Sequence, residues 1–255
     1  MRIPDPVTVD AGPTADLEPE PTSPYWQFYA AVAAGQVQEW LPDVPGRVLD
    51  VSGERFDFTG QLLAAGHEVV QVLGPMSTAA RAGAGLHRVR ADAQNLAFVR
   101  DASIDAILAE GNALSLCLAA ELTAEELLRV LRPGGRLLLV VDSLLLGLAR
   151  LADQERWAEL ADVPAADVVL ICGPGGHITR CFWPEELESL LTSAGFTVDW
   201  LRPRSVLTPA AVERALTEGS PGVLSTLVTT ELALARKREG ASTGMHLVAS
   251  ARRPL

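Results

Sequence analysis

The sequence predicts an α/β fold in which helices cover both faces of a mostly parallel sheet. Short apolar runs alternate with helical segments from residue 47 onward, which is the pattern of strand–helix–strand units. The run RLLLVVD at 136–142 is apolar without a period of two, as expected for a strand buried on both faces. There is no internal repeat and no sign of a second domain.

The elements follow from apolar period and turn residues. Seven strands are predicted at 47–51, 68–73, 86–92, 103–110, 136–142, 196–203 and 244–254. Helices are predicted at 25–41, 60–68, 76–84, 122–135, 144–161, 184–195 and 208–237. Thr123, with Glu126 three residues later, predicts an N-cap with a capping box. Residues 163–182 are predicted to be less regular.

Composition and charge exclude several classes of protein. The 255 residues carry a net charge of −11, whereas a nucleic-acid-binding protein usually needs a basic face. The three cysteines are widely spaced and form no CxxC pair, which argues against a disulfide framework or a zinc site. No cluster has metal-ligand spacing, so we predict no metal. We expect a monomer or a homodimer.

The N-terminal segment differs from the rest of the chain. Residues 1–24 contain six prolines and five acidic residues, so we expect a disordered tail followed by a single domain at 25–255. No secretion signal is recognisable. The most apolar stretch, 137–151, contains Asp142 and Ser143 and is too short to span a membrane. These features predict a soluble cytoplasmic protein.

Three segments resemble class I S-adenosylmethionine-dependent methyltransferases: ADAQNLAFVRDASIDAILAEGNALSL, LLRVLRPGGRLLLVV and FWPEELESLLTSAGFTV. GMHLVASARRP also resembles the family's last strand, and the likeness covers roughly residues 45–254. The resemblance implies a Rossmann-like, seven-stranded sheet with an antiparallel last strand at its edge. It also implies S-adenosyl-L-methionine as the cofactor and a small-molecule substrate.

The family implies a role for each strand tip. Asp92 matches the aspartate that binds the adenine amino group, and Ala93 would offer its main chain. Glu110, Gly111 and Asn112 match the tip that faces the methyl group and the acceptor. The implied cofactor-binding residues are Asp50, Ser52, Gly53, Glu54, Leu73, Asp92, Ala93 and Glu110.

Two positions depart from the family pattern. Ser52, Glu54 and Phe56 stand where glycines are usual, and Leu73 stands where an acid usually binds the ribose. The first interpretation is that altered contacts hold the cofactor, with Arg55 pairing its carboxylate and Glu54 its ammonium. The second is that the protein is a catalytically inactive binding or partner protein. A dinucleotide site is disfavoured because both GxGxxG and the second-strand acid are missing.

His177, in GPGGHITRC, is the candidate catalytic base, and a surface-loop histidine is the alternative. Asp142 either faces the acceptor or caps the next helix. Trp26, Tyr29 and Trp183 either form a wall for an apolar or cationic group or pack structurally. We interpret three further histidines as structural: His67, His87 and His246.

The resemblance implies methyl transfer to an oxygen, nitrogen or carbon centre of a small molecule. Methyl transfer needs mainly alignment and desolvation, so no catalytic motif is compulsory. Modification of a protein or peptide remains a further alternative, since an acidic enzyme can take a basic substrate.

Overall fold

The computed structural model describes residues 22–53, 57–74, 83–92, 95–117, 119–166, 168–172 and 178–255. The strands in this part are β1 (Arg47–Asp50), β2 (Glu68–Leu73), β3 (Leu86–Arg90), β4 (Ile104–Ala109), β5 (Leu131–Asp142), β6 (Val169–Cys172), β7 (Ile178–Cys181), β8 (Thr197–Arg204) and β9 (His246–Arg252). The helices are α1 (Tyr25–Trp40), α2 (Thr59–Ala64), α3 (Ala120–Val130), α4 (Leu144–Asp153), α5 (Trp157–Asp162), α6 (Pro184–Ser193), α7 (Pro209–Glu218) and α8 (Val223–Lys237).

The main sheet has seven strands in the order β3-β2-β1-β4-β5-β9-β8. Strands β1 to β5 are parallel to one another, whereas β9 runs antiparallel between β5 and β8. This confirms the predicted fold class, including the antiparallel last strand. The predicted position of that strand at the edge is wrong, because β8 pairs with its outer side and forms the edge. The carboxyl ends of β1 to β5 therefore meet at one edge, where open α/β sheets bind ligands.

Each face of the sheet has its own core, because side chains alternate along the strands. Along β4, Ile107 and Ala109 pack on one face together with apolar residues of α3 and α6. Ala106 and Leu108 pack on the opposite face with residues of α1 and α2. The next side chain on this second face is Glu110, which therefore points beneath α1.

Helix α1 is fixed by the aromatic residues with which it begins. Tyr25, Phe28 and Tyr29 are almost completely buried and pack with Val212 of α7 and partly buried residues of α8. The Tyr25 hydroxyl also lies 2.6 Å from the Ser205 hydroxyl, just after β8. Residues near the two ends of the sequence thus cover the same side of the sheet.

The start of α3 contradicts the predicted capping box. The helix begins at Ala120, so Thr123 lies inside its first turn, and its hydroxyl donates to the carbonyl oxygen of Ala119 at 3.2 Å. Glu126 pairs with Arg129 on the next turn. The Thr–Glu spacing matched the motif, but helical structure begins one turn earlier.

The segment between β5 and α6 is more structured than predicted. The expected helix at 144–161 is divided into α4 and α5, with Glu155 between them at φ 55°. The region predicted to be irregular contains an antiparallel hairpin of β6 and β7. Val169, Ile171 and Cys181 bury one face of this hairpin against α4. Most of the helix predicted at 76–84 lies outside the described residues.

Candidate functional site

The carboxyl ends of the parallel strands bring several predicted site residues to one edge. Asp50 ends β1 and pairs in register with Gln71 of β2 and Leu108 of β4. Asp92 follows β3 and is exposed. Glu110 directly follows β4. Residues that are distant in the sequence therefore surround one edge of the sheet, as the strand alternation predicted.

Asp50 is a buried carboxylate that is only half satisfied. Its Oδ1 accepts a hydrogen bond from the main-chain nitrogen of Ser52 at 3.0 Å. Its Oδ2 is buried and has no hydrogen-bond partner within the described residues. Burial raises the pKa of Asp50 to about 6, although its interactions with Ser52 and with the Gln71 side chain favour the ionised form. The side chain is thus a buried acid with one oxygen open to a donor.

The turn after β1 is held to β4 by Ser52, which explains a side chain where a glycine was expected. The Ser52 hydroxyl accepts a hydrogen bond from the main-chain nitrogen of Glu110 at 3.0 Å. The close approach is instead provided by Gly111, where an added Cβ would lie 2.0 Å from the carbonyl oxygen of Ser52. Gly53 has φ 77°, a conformation that favours glycine. The predicted binding residue Glu54 lies outside the described residues.

The Glu110 carboxylate is fully engaged inside the protein. It makes two hydrogen bonds with Arg204, at 2.6 and 2.7 Å, and both side chains are almost inaccessible to solvent. Arg204 also donates to Gln36 of α1 at 2.6 Å and to the Tyr29 hydroxyl at 3.3 Å. This ion pair joins β4, β8 and α1. Glu110 can offer its main chain to a ligand at this edge, but Arg204 neutralises the charge of its side chain.

Tyr29 lies within this buried network and is not an exposed wall. Its ring contacts the guanidinium of Arg204 and the imidazole of His246, with a centroid separation of 5.4 Å between the two rings. Burial raises the pKa of the Tyr29 phenol, which favours its neutral form. Trp183, by contrast, is 45% exposed beside the β6–β7 hairpin.

A second polar cluster surrounds Asp142 at the end of β5. Asn112 Nδ2 donates to Asp142 Oδ1 at 2.7 Å, and Arg150 donates to Oδ2 at 2.8 Å. His246 Nε2 lies 3.7 Å from Oδ1. The alternative that Asp142 caps the next helix is wrong, because the Ser143 hydroxyl accepts the capping bond from the Leu146 nitrogen at 3.2 Å.

The hairpin inserted after β5 lies beside this cluster. The main-chain nitrogen of Arg180 in β7 donates to the carbonyl oxygen of Ser115 in the loop after β4, at 2.8 Å. The Ser115 hydroxyl in turn accepts a hydrogen bond from the Asp142 nitrogen at 2.8 Å. His177 itself lies outside the described residues, so its predicted role as a base stays a prediction.

Part of this chain matches a known protein family, and its fold is similar to that of solved methyltransferases. Residues 57–139, about a third of the chain, match a family model described as a methyltransferase domain. A Burkholderia thailandensis 1,6-didemethyltoxoflavin-N1-methyltransferase, solved with bound 1,6-didemethyltoxoflavin and S-adenosylhomocysteine, is 20% identical with a TM-score of 0.56. The alignment covers 91% of this chain and 82% of that one. The chain has the fold of class I methyltransferases.

Other solved structures share this fold. A SAM-dependent methyltransferase from Thermotoga maritima is 19% identical, with a TM-score of 0.57 and coverage of 89% of this chain and 90% of that chain. The [4+2]-cyclase SpnF is 20% identical, with a TM-score of 0.54 and coverage of 93% and 86%. At these identities the likeness establishes the fold and not the reaction. No curated protein sequence gives a significant match.

The remaining predicted residues come at or just after the ends of β2 and β3 in the sequence. Leu73 ends β2 with its side chain 3% exposed, so it offers only main-chain atoms to a ligand. Its carbonyl oxygen accepts a hydrogen bond from the Ala91 nitrogen at 3.0 Å, which holds the tips of β2 and β3 together. Ala93 lies outside the described residues. The cofactor roles assigned to these positions stay predictions.

Sequence reasoning missed the residues that neutralise the buried acids at this edge. Arg204 and Arg150 were not singled out, and His246 was interpreted only as structural. The sequence carried no clear signal for Arg204, because the strand that it ends also contains Asp199 and Arg202, and charged side chains are mostly exposed. Within the described residues, no three His, Cys, Asp or Glu side chains are placed to hold a metal ion. No helix in the same ranges is long and apolar enough to cross a membrane.

Proposed function

We propose that this protein is an S-adenosylmethionine-dependent methyltransferase that acts on a small molecule. The observation that carries the proposal is the environment of Asp50. This acid is buried at the first strand tip, and its Oδ2 has no hydrogen-bond partner in the described chain. A buried carboxylate with an unpaired oxygen is costly unless a donor or cation completes it. The ammonium group of the methionyl part of S-adenosylmethionine is such a partner.

The other residues at this edge fit the same ligand. The resemblance to methyltransferases assigns the adenine amino group to Asp92, and the Asp92 side chain is exposed at the tip of β3. Gly53 and Gly111 let the turn after β1 pass close to the tip of β4. Leu73 supplies no ribose acid, so the ribose would be held by other groups. When bound, S-adenosylmethionine supplies an electrophilic methyl group on its sulfonium.

The chain contributes alignment and the exclusion of water. Helix α1, fixed by the Glu110–Arg204 pair, covers one side of the edge. The β6–β7 hairpin borders the other side through its contact with Ser115. A preorganised and partly dry site of this kind favours attack by an acceptor held in line with the methyl group. His177 remains the proposed base where the acceptor must lose a proton.

Calorimetric titration with S-adenosylhomocysteine tests the proposal. We expect saturable binding, accompanied by a rise in the melting temperature that grows with ligand concentration. Asp92→Ala should weaken binding roughly tenfold, as expected for one lost hydrogen bond to a charged group. Asp43→Ala is the matched control, because Asp43 is an exposed acid that precedes β1 at its opposite end. The absence of binding at millimolar ligand would contradict the proposal and favour a partner protein without a cofactor.

A further inference from the structure

The side-chain amide of Asn112 is held in one orientation. Asn112 follows β4 with its backbone at φ 53°, a left-handed conformation that asparagine tolerates better than most residues. Its nitrogen donates to Asp142, whose other oxygen accepts a hydrogen bond from the Arg150 guanidinium at 2.8 Å. An ionised carboxylate only accepts hydrogen bonds. The amide nitrogen must therefore face Asp142, and the amide oxygen must face away.

The oxygen that faces away accepts no hydrogen bond within the described part of the chain. Asn112 Oδ1 is buried and has no hydrogen-bond partner among the described residues, although the residue as a whole is partly exposed. Buried acceptors in native proteins are nearly always hydrogen-bonded, so an exception calls for an explanation. Its neighbour Gly111 lies directly against the carbonyl oxygen of Ser52 in the turn after β1. The unpaired oxygen thus belongs to the edge assigned to the cofactor.

Asn112 Oδ1 differs from the carboxylates at this edge because it is an uncharged acceptor. Asp50 carries a carboxylate suited to a cation, whereas the charge of Glu110 is neutralised by Arg204. The Asn112 oxygen suits an uncharged or weakly acidic N–H or O–H group. A ligand without such a hydrogen would leave this oxygen buried and unpaired.

We propose that Asn112 Oδ1 binds the N–H or O–H group of the methyl acceptor. Asp142 is then a positioning residue that fixes the amide, and Arg150 holds Asp142. This inference rests on the proposed function and narrows its substrate class. The acceptor is an amine, an N–H heteroaromatic compound, a phenol or an alcohol, and not a carbon nucleophile that lacks such a hydrogen.

Matched pairs of small molecules test the inference by binding and without catalysis. The probes are phenol with anisole, imidazole with 1-methylimidazole, and indole with 1-methylindole. Each is titrated by ligand-observed NMR into protein saturated with S-adenosylhomocysteine. For at least one pair we expect the N–H or O–H member to bind roughly tenfold more tightly, because its methylated counterpart leaves a buried acceptor unpaired.

Three variants test whether Asn112 causes the preference for the N–H or O–H member of a pair. Asn112→Gly removes the side chain but tolerates the left-handed backbone, so it should fold and lose the preference. Ala102→Gly is the matched control, because Ala102 has φ 49° in the loop before β4, and it should keep the preference. Asp142→Asn lets the Asn112 amide turn over, so the preference should fall towards equality.

The outcomes separate the inference from the function on which it rests. No preference in any pair, whether both members bind or neither does, overturns the inference, as does a preference that survives in Asn112→Gly. Loss in Ala102→Gly as well would also overturn it, and full retention in Asp142→Asn would remove the positioning role. If S-adenosylhomocysteine does not bind, the proposed function fails. A preference that is measured without it and lost in Asn112→Gly would still support the hydrogen-bonding site.

Discussion

Asp50 and Glu110 are buried acids at the tips of neighbouring strands, yet their surroundings are opposite. Glu110 is paired through two hydrogen bonds with Arg204. Asp50 accepts one main-chain hydrogen bond, and burial raises its pKa to about 6. A paired buried acid joins parts of the fold together, whereas a half-satisfied one lowers stability and is suited to bind a ligand. The charge available to a ligand therefore lies at the tip of β1 and not at the tip of β4.

Breaking the Glu110–Arg204 pair should have the largest effect. Arg204→Met leaves Glu110 buried without a cation, and we expect a loss of about 3–5 kcal/mol in the free energy of unfolding. Urea denaturation measures this change. The double variant with Glu110→Gln should recover part of the loss, because no buried charge then remains. A loss below about 1 kcal/mol in the single variant would mean that the pair does not join α1 to the sheet.

Removing the Asp50 charge should raise the free energy of unfolding, whereas breaking the Glu110–Arg204 pair lowers it. The folded pKa of about 6 lies above the ordinary value of 3.8, so the folded protein retains a proton that the unfolded chain has lost between these pH values. Stability from this group is therefore greatest below pH 3.8, falls as pH rises to about 6, and is constant above it. Asp50→Asn should stabilise the protein by about 2–3 kcal/mol at pH 8 and by almost nothing near pH 4.

Thermal unfolding from pH 4 to pH 8 measures this difference, with Asp43→Asn as the exposed control. Equal stability of wild type and Asp50→Asn at pH 8 would show that Asp50 is already satisfied. The contrast with Glu110 would then disappear.

The close packing between the tips of β1 and β4 can be tested at Gly111. Gly111→Ala places a Cβ 2.0 Å from the carbonyl oxygen of Ser52, so the main chain must shift. We expect a loss of about 1–3 kcal/mol, as for overpacked interiors, and weaker binding of S-adenosylhomocysteine. Gly60→Ala is the control, because a Cβ there meets nothing within 4 Å. If the two variants were equally stable, the tips of β1 and β4 would not be in close contact.

Adding an acid at the second tip should have the smallest effect. Gly74 follows β2, is exposed, and has open space around an added Cβ. Gly74→Asp would supply the ribose-binding acid that Leu73 lacks, with a gain of about 1 kcal/mol in binding S-adenosylhomocysteine. Calorimetry measures this change, and Gly74→Asn is the uncharged control. Equal affinities of the two variants would mean that the ribose does not reach this tip.

The order of the elements could be predicted because it depends on local signals. The apolar runs of β1, β2 and β4, and the helix that begins at Pro184, follow from residues close together in the sequence. Strand alternation then brings Asp50, Asp92 and Glu110 to the same edge without further information. The hairpin of β6 and β7 was missed because each strand has only four residues, too few to establish a period of two.

Whether each buried acid is paired with a cation could not be predicted, because the partners are distant in the sequence. Arg204 is 94 positions from Glu110, and Asp142 is 30 positions from Asn112. No local pattern indicates which strand tip receives an arginine from β8. Sequence position alone therefore treated Asp50 and Glu110 as equivalent cofactor-binding residues, and only the tertiary structure distinguishes them.

The most direct test of the contrast is the pH dependence of S-adenosylhomocysteine binding to wild type and Asp50→Asn. If ionised Asp50 holds the ammonium group, the wild-type affinity should fall as pH decreases through about 6, because protonation removes the charge. Asp50→Asn should bind roughly tenfold more weakly at pH 8 and lose most of this pH dependence. Equal affinities of the two proteins from pH 5 to pH 8 would contradict the account.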